Sequence, residues 1–430
     1  MQTFSSAWVK SARSKTASPK VVWLGVILTL CWAFALPVMG QQTASPTSQD
    51  EINKQLLDRI RELEKETQRL KGQPATVAPP AQAPEPPPVV EQPAVNEVAP
   101  RLKLTVFGDV GAEGYNHNPD TFLFGSLDLF MTARISAKAS AMGEVLFIAQ
   151  SDNTIQADVE RLLFRWRQND YLMASIGRYH SWVGYYNTAF NYGAFLETTT
   201  DRPFMYAFDD SGGVLPMQEV GVTVTGKIPS GKIGLNYVVE VGNGRAWGPG
   251  QQPAQNNQDG NNSKSINGGL FIRPEKISGL QIGFSLRHDN LTVPGPNIAE
   301  TIATVHAVYI DTKYEILNEG LLVRHAELTG PVFNTAAFYS QISRAFGNWR
   351  PYLRYQYFNA HNDDPVYIYA TPSNYAPPAA TGFVGRLNGP SVGIRYDFTE
   401  HSALKLQYSR ISLRGFDTQN GVTTQIAFTF

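Results

Sequence analysis

The one tempting pair of base and nucleophile in this sequence is His180 beside Ser181. Neighbours on an extended strand point to opposite faces, so the two form no dyad, and an outer-surface hydrolase is not indicated. The recurrent pattern is instead a charge alternating with an aromatic or aliphatic side chain. Along Trp349–Phe358, Arg350, Tyr352, Arg354 and Gln356 share one face, while Trp349, Leu353, Tyr355 and Tyr357 share the other. Val392, Ile394, Tyr396 and Phe398 stand opposite Arg395 and Asp397, and Leu162, Phe164 and Trp166 stand opposite Arg161 and Arg165. Charges on one face of such strands call for water on that face. On the other face, a charge held at mid-membrane costs about 2–4 kcal/mol.

The same parity adds Arg273, Arg287 and Lys405 to a basic wall on the polar face, with the acids Asp109, Asp128, Glu144 and Glu240. The inward arginines cluster on the later strands and at Arg161 and Arg165, and the acids lie mostly on the first three. A long break, Gly184–Met217, carries Glu197, Asp201, Asp209 and Asp210 among Phe190, Phe195, Phe204 and Phe208. It is too apolar for a disordered segment, and loops of this length are usually functional. It is expected to fold inward as a constriction with its carboxylates facing the arginines, which would set a transverse field across a narrow passage. An external cap is the alternative.

The elements that must position these residues are about sixteen alternating strands from Arg101 onward. Short breaks recur at Arg167–Tyr171, Lys227–Lys232, Arg273–Gly279, Asp311–Lys313, Phe346–Trp349 and Phe398–Ser402. Longer ones fall between them, at Gly184–Met217, Ala246–Ser263 and Asn362–Gly385. Tight turns at one rim and long loops at the other are the organisation of an all-β, antiparallel transmembrane barrel. The last ten residues, Gly421–Phe430, agree. Ile426, Phe428 and Phe430 alternate with Gln425, Ala427 and Thr429, and a closing strand removes the open edge of the sheet. This ending resembles the C-terminal signature of bacterial outer-membrane barrels. Trp166, Trp349, Phe398 and Phe430 then fall at the periplasmic ends of their strands, where an aromatic girdle belongs.

Bulk properties fit. The 430-residue chain is 42% hydrophobic and only 17% charged, below the roughly 25% of soluble domains, with mean hydropathy −0.23. A net charge of −1 offers no footprint for nucleic acid, and nothing in the sequence calls for a metal or cofactor. The single cysteine, Cys31, lies in the leader, so no disulfide or thiol chemistry is expected beyond it.

The first hundred residues divide in three. Residues 1–40 read as an export signal, with a cationic lead (Lys10, Arg13, Lys15, Lys20), an apolar run from Val21 to Ala35, and small residues before Gln41. Residues 41–72 hold a short coiled coil. Asn53, Ile60 and Thr67 take a positions and Leu56, Leu63 and Leu70 take d positions, with Arg59 able to reach Glu64 of a neighbouring chain. The run Arg59–Glu64 resembles a trimer-favouring pattern. Three heptads are marginal alone, so the segment is read as an aid to a trimer that forms elsewhere. Residues 73–100, rich in proline, are a polyproline spacer reaching roughly 80–90 Å. Residues 101–430 form the barrel.

Several stretches are similar to a bacterial porin group near the phosphate-selective porins. They are Gly177–His180, Gly184–Thr188, Arg202–Pro203, Asp209–Pro216, Asn348–Tyr357 and Asn388–Ser391. The resemblance spans most of Arg101–Phe430 and implies a trimeric diffusion channel. The coiled coil and spacer resemble the layout of coiled-coil-bearing dicarboxylate porins. The barrel is poor in lysine, unlike phosphate-selective pores, so phosphate selectivity does not carry over. The expectation is a homotrimeric porin in the bacterial outer membrane, its coiled coil in the periplasm. It would pass small hydrophilic solutes with a lean towards anions such as carboxylates. A second reading makes it a structural protein that tethers the membrane to the cell wall through the coiled coil. A transporter energised through a plug domain lacks the plug.

Overall fold

The computed structural model describes residues 101–116, 119–149, 153–190, 193–206, 215–246, 254–255, 257, 261–291, 297–367 and 385–430. The expected signal, coiled coil and spacer lie outside the described residues. The first eight barrel strands are β1 (Arg101–Tyr115), β2 (Thr121–Arg134), β3 (Ala139–Ala149), β4 (Ile155–Asn169), β5 (Leu172–His180), β6 (Gln218–Lys227), β7 (Leu235–Gly242) and β8 (Ser265–Ile272). The rest are β9 (Leu280–Leu291), β10 (Ile298–Ile310), β11 (Tyr314–Glu327), β12 (Val332–Arg344), β13 (Trp349–Asn359), β14 (Arg386–Thr399), β15 (Ser402–Leu413) and β16 (Gln419–Thr429). Each pairs antiparallel with the next. The last strand closes on the first, with Phe107 opposite Thr429 and Tyr115 opposite Gly421. A closed sheet leaves no unpaired edge, which a strand set crossing lipid requires.

The tight turns, at 135–138, 170–171, 228–234, 273–279, 311–313, 345–348 and 400–401, all fall at one rim. The 135–138 turn was not among the expected ones. Local chemistry fixes several of them. The Asp311 carboxylate accepts from the backbone N–H of Lys313 (2.7 Å) and Tyr314 (2.5 Å), and Asn169 accepts from Tyr171 N–H (2.9 Å). The opposite rim holds the long links 181–217, 243–264 and 360–385. A two-residue ribbon pairs Arg245–Ala246 with Ala254–Gln255 inside the second of these.

The outward face is apolar. Leu162, Phe164 and Trp166 are exposed, as are Trp349, Phe398 and Phe430 at the tight-turn rim. Rings there pack on one another, Trp349 tilted against Tyr396 with centroids 4.4 Å apart and Tyr396 edge-to-face with Phe398 at 5.5 Å. The inward face is polar along much of its height, with cross-strand pairs such as Ser285–Thr304 (2.7 Å) and Ser391–Ser409 (2.9 Å). Bulges interrupt the β1–β2, β3–β4, β4–β5 and β14–β15 pairings. At the first of them, Asp109 turns inward to accept from Ser126 N–H (2.9 Å), Ser126 Oγ (2.7 Å) and Gln425 Nε2 (3.0 Å).

Candidate functional site in the barrel lumen

The described residues of 181–217, here loop L3, run into the barrel. L3 contains a single helical turn, α1 (Tyr186–Ala189), and a tighter turn at Phe204–Tyr206. Its neck is closed by Asn187, whose amide donates to the carbonyls of Ser181 and Met217, both at 2.8 Å. The Ser181 hydroxyl donates to the Pro216 carbonyl, so it serves the neck. Gly184 enters the lumen at φ +94°, and a Cβ there would collide with the Tyr206 hydroxyl and the Glu319 carboxylate.

Three sets of wall residues hold L3. Glu319 on β11 accepts from the backbone N–H of Tyr185 (2.5 Å) and Tyr186 (3.0 Å), and from the hydroxyls of Tyr206 (2.8 Å) and Tyr339 (2.5 Å). On β13, Arg354 is ion-paired with Asp201 and donates to the Asp201 carbonyl (2.8 Å), while Gln356 accepts from Phe204 N–H (2.8 Å). On β14 and β15, Arg395 donates to the carbonyls of Phe195 (2.7 Å) and Glu197 (2.9 Å), and Lys405 to those of Ala194 (2.5 Å) and Thr199 (2.9 Å). Beneath the loop lies an apolar core. Tyr186, Tyr206, Leu215 and Met217 pack with inward-facing Ile302, Leu317, Leu321 and Val323. Tyr186 stacks on Tyr206 at 5.3 Å, and Phe204 meets Phe358 edge-on at 5.0 Å.

The expected basic wall lies on the inward face but is not uniform. Arg161 is ion-paired with Glu144; Arg287 meets Glu300 (3.0 Å), Asp289 (3.0 Å) and Glu219 (3.3 Å); Arg395 pairs with Asp397 (2.7 Å). Three others are held by neutral acceptors: Arg165 by Ser175 Oγ (3.5 Å), Arg273 by Gln281 Oε1 (2.8 Å) and Arg350 by Ser343 Oγ (3.3 Å). Among the acids, Asp128 is buried, and Glu240 accepts from Trp182 N–H (2.9 Å) and Asn267 Nδ2 (2.8 Å). Glu197 and Asp201 sit on L3 inside the barrel; Asp209 and Asp210 lie outside the described residues. Burial pushes the Glu197 carboxyl above its ordinary range, against the opposing pull of Arg202 and Lys405.

Several residues of this site were not anticipated. Arg245, from the 243–264 link, pairs with Glu300, and His325 stands between Glu300 (3.0 Å) and Asp364 (2.8 Å) of the 360–385 link. This buried network fastens two long links to β9–β11. Its alternating signal, Arg287-x-Asp289 facing Glu300, is present in the sequence. A polar cavity of about 160 Å³ remains between the tip of L3 and β1 and β16. It is lined by Asp109, Glu113, Tyr115, Thr200, Asp201, Thr423 and Gln425, among others. Glu113 and Tyr115 carry little signal in the sequence, because β1 alternates weakly near its end.

No family model matches the chain, and no curated protein does. Solved structures with a similar barrel include outer-membrane porins and channels. The anion-selective porin from Comamonas acidovorans superposes with a TM-score of 0.55 at 14% identity, over 77% of this chain and 100% of that one. The outer membrane channel DcaP of Acinetobacter baumannii gives 0.52 at 9% identity, over 78% and 99%. OmpF of Salmonella typhi, in complex with daunomycin, gives 0.50 at 11% identity, over 76% and 97%. At these identities the likeness is one of fold.

Proposed function

We propose that this chain is an outer-membrane channel for the passive diffusion of small hydrophilic solutes, and that it works as a homotrimer. The observation that carries the reading is a long loop folded into a closed sixteen-strand barrel and bonded there to wall side chains, with a polar cavity left beside its tip. A barrel of this strand number is wide enough for water to pass, and an inserted loop narrows it to a solute-sorting gap. The lean towards anions rests on Arg165, Arg273 and Arg350, since Arg161, Arg287, Arg354 and Arg395 are neutralised by carboxylates. Trimer formation rests on Asn53, Leu56, Arg59, Ile60, Leu63 and Glu64 and on the trimeric habit of the resembled group.

The test is conductance of purified, folded protein in a planar bilayer under a salt gradient. Steps arriving in threes, with a reversal potential set by the sign of the passage, support a trimeric channel. A silent bilayer from folded protein sinks the channel and moves the cell-wall tether forward. Deleting residues 49–71 leaves a trimer by native mass if that segment only assists assembly, and monomers if it is required.

A further inference from the structure

Inside the barrel, charges without an oppositely charged partner are segregated along its axis. Arg350 is the second residue of β13 and Lys103 the third of β1; Arg273 directly follows β8, and Arg165 stands four residues from the end of β4. All four lie towards the tight-turn rim, and the hydrogen bonds of the three arginines go to neutral oxygens, with Arg273 also lying over the Phe271 ring at 4.9 Å. Among the described residues, Glu315, under Thr198 and Gln341, is the inward-facing strand carboxylate without a cation at that end; the turns of that rim carry Glu275, Asp311 and Glu400 alongside Lys138, Lys232, Lys276 and Lys313. The opposite sign prevails higher up. Asp109, Glu240 and Glu319 are held by N–H and O–H donors alone, and Glu113, third from the end of β1 at the long-loop rim, faces the cavity.

Lys103 and Glu113 are ten residues apart on one strand. At about 3.3 Å per residue and a tilt of about 40°, they stand about 25 Å apart along the axis. That exceeds the screening length of about 8 Å at physiological salt, so the two zones do not neutralise each other through the electrolyte. Each gathers its own counterions.

We propose that the lumen is electrically bipolar, cation-gathering towards the long-loop rim and anion-gathering at the tight-turn rim, and that the channel therefore rectifies. The proposal rests on the channel reading above. With the long-loop side positive, cations enter through the acidic zone and anions through the basic one, and both accumulate where the zones meet. Conductance is then high. With the polarity reversed both ions are drawn out of the middle, and conductance falls.

Single-channel current–voltage curves test this. Orientation is read from Asp417→Cys, an exposed position at the long-loop rim, tagged from one chamber with a bulky thiol reagent in a Cys31→Ser background. The expected conductance ratio between polarities is roughly 1.5 or more at about 0.1 M salt, where charges reach about 10 Å. It falls to about 1 in 1 M salt, where they reach about 3 Å. Replacing Arg165, Arg273 and Arg350 together by Gln abolishes the ratio and shifts the reversal potential towards cations. An open channel with symmetric curves at low salt, the opposite polarity, or a ratio indifferent to salt overturns the proposal. The salt series needs no variant, so it decides the matter even if the triple substitution prevents folding. A silent bilayer removes the channel reading and this one with it.

Discussion

Glu319 gives the sharpest test of the inserted loop. Its carboxylate takes four hydrogen bonds, two from the backbone of α1 and two from tyrosine hydroxyls, and it is buried. Glu319→Ala leaves the N–H groups of Tyr185 and Tyr186 without an acceptor; the hydroxyls can turn elsewhere. An orphaned buried donor costs about 1–3 kcal/mol, so the two together weaken the seating of L3 by about 3 kcal/mol, near the low end. At about 1.4 kcal/mol per decade, the population with α1 unseated rises roughly a hundredfold. The barrel itself persists, because its ladder does not pass through Glu319. Arg354, Arg395 and Lys405 keep their hold on residues 194–201. Single-channel recording therefore shows larger conductance with frequent flicker, and protease cleavage appears near residues 184–190. Glu319→Gln retains one acceptor oxygen and falls between the two. A Glu319→Ala barrel that shows wild-type conductance, noise and protease resistance would refute the claim that this carboxylate seats the loop.

Three further outcomes follow from neighbouring contacts. Arg354→Ala frees the Asp201 carboxylate to act on the cavity. A unit charge at about 4 Å in water is worth about 1 kcal/mol, so the cation-to-anion permeability ratio, read from the reversal potential, rises roughly fivefold. The raised pKa of Glu197, caused first by burial, means that its contribution to L3 seating is fully present below the ordinary carboxylate pKa and is lost as pH rises through the higher folded value. Channel noise thus grows as pH climbs out of the acid range, and Glu197→Gln, which mimics the protonated form, flattens that dependence. Gly177 holds φ +133° and a Cβ there would collide with the Leu162 carbonyl, so Gly177→Ala costs at least about 1–3 kcal/mol and lowers the unfolding temperature seen by heat-shifted gel mobility.

The barrel was legible because its signals are local. Trp349 to Phe358 alternates without interruption, and the turn residues from Asp311 to Lys313 read as a turn with no knowledge of their neighbours. The interior was legible only where it is wet. Leu317, Leu321 and Val323 share the inward face of β11 with Glu319, because L3 covers them there. A parity rule that sends apolar side chains to lipid would place that strand, and Glu319 with it, backwards. Arg178 departs from the alternation for another reason. It follows Gly177, whose positive φ turns the strand, and its guanidinium reaches Asp158 (3.3 Å), Gln218 (3.1 Å) and Asn257 (3.1 Å). Neither cause shows in a count of alternating residues.

The basic wall itself has an explanation that its charge alone does not suggest. Much of L3 lies inside the barrel without regular secondary structure, so its carbonyls must find donors there. Arg354, Arg395 and Lys405 supply them to Ala194, Phe195, Glu197, Thr199 and Asp201, five carbonyls in eight residues. Long cationic side chains suit this work, since each presents several donors and spans the gap from wall to loop. The cations of β13–β15 are thus required by the loop's backbone before any solute arrives. Arg165, Arg273 and Arg350 have neither a loop carbonyl nor a carboxylate to serve, and on the proposed channel reading theirs is the charge left for ions in the passage.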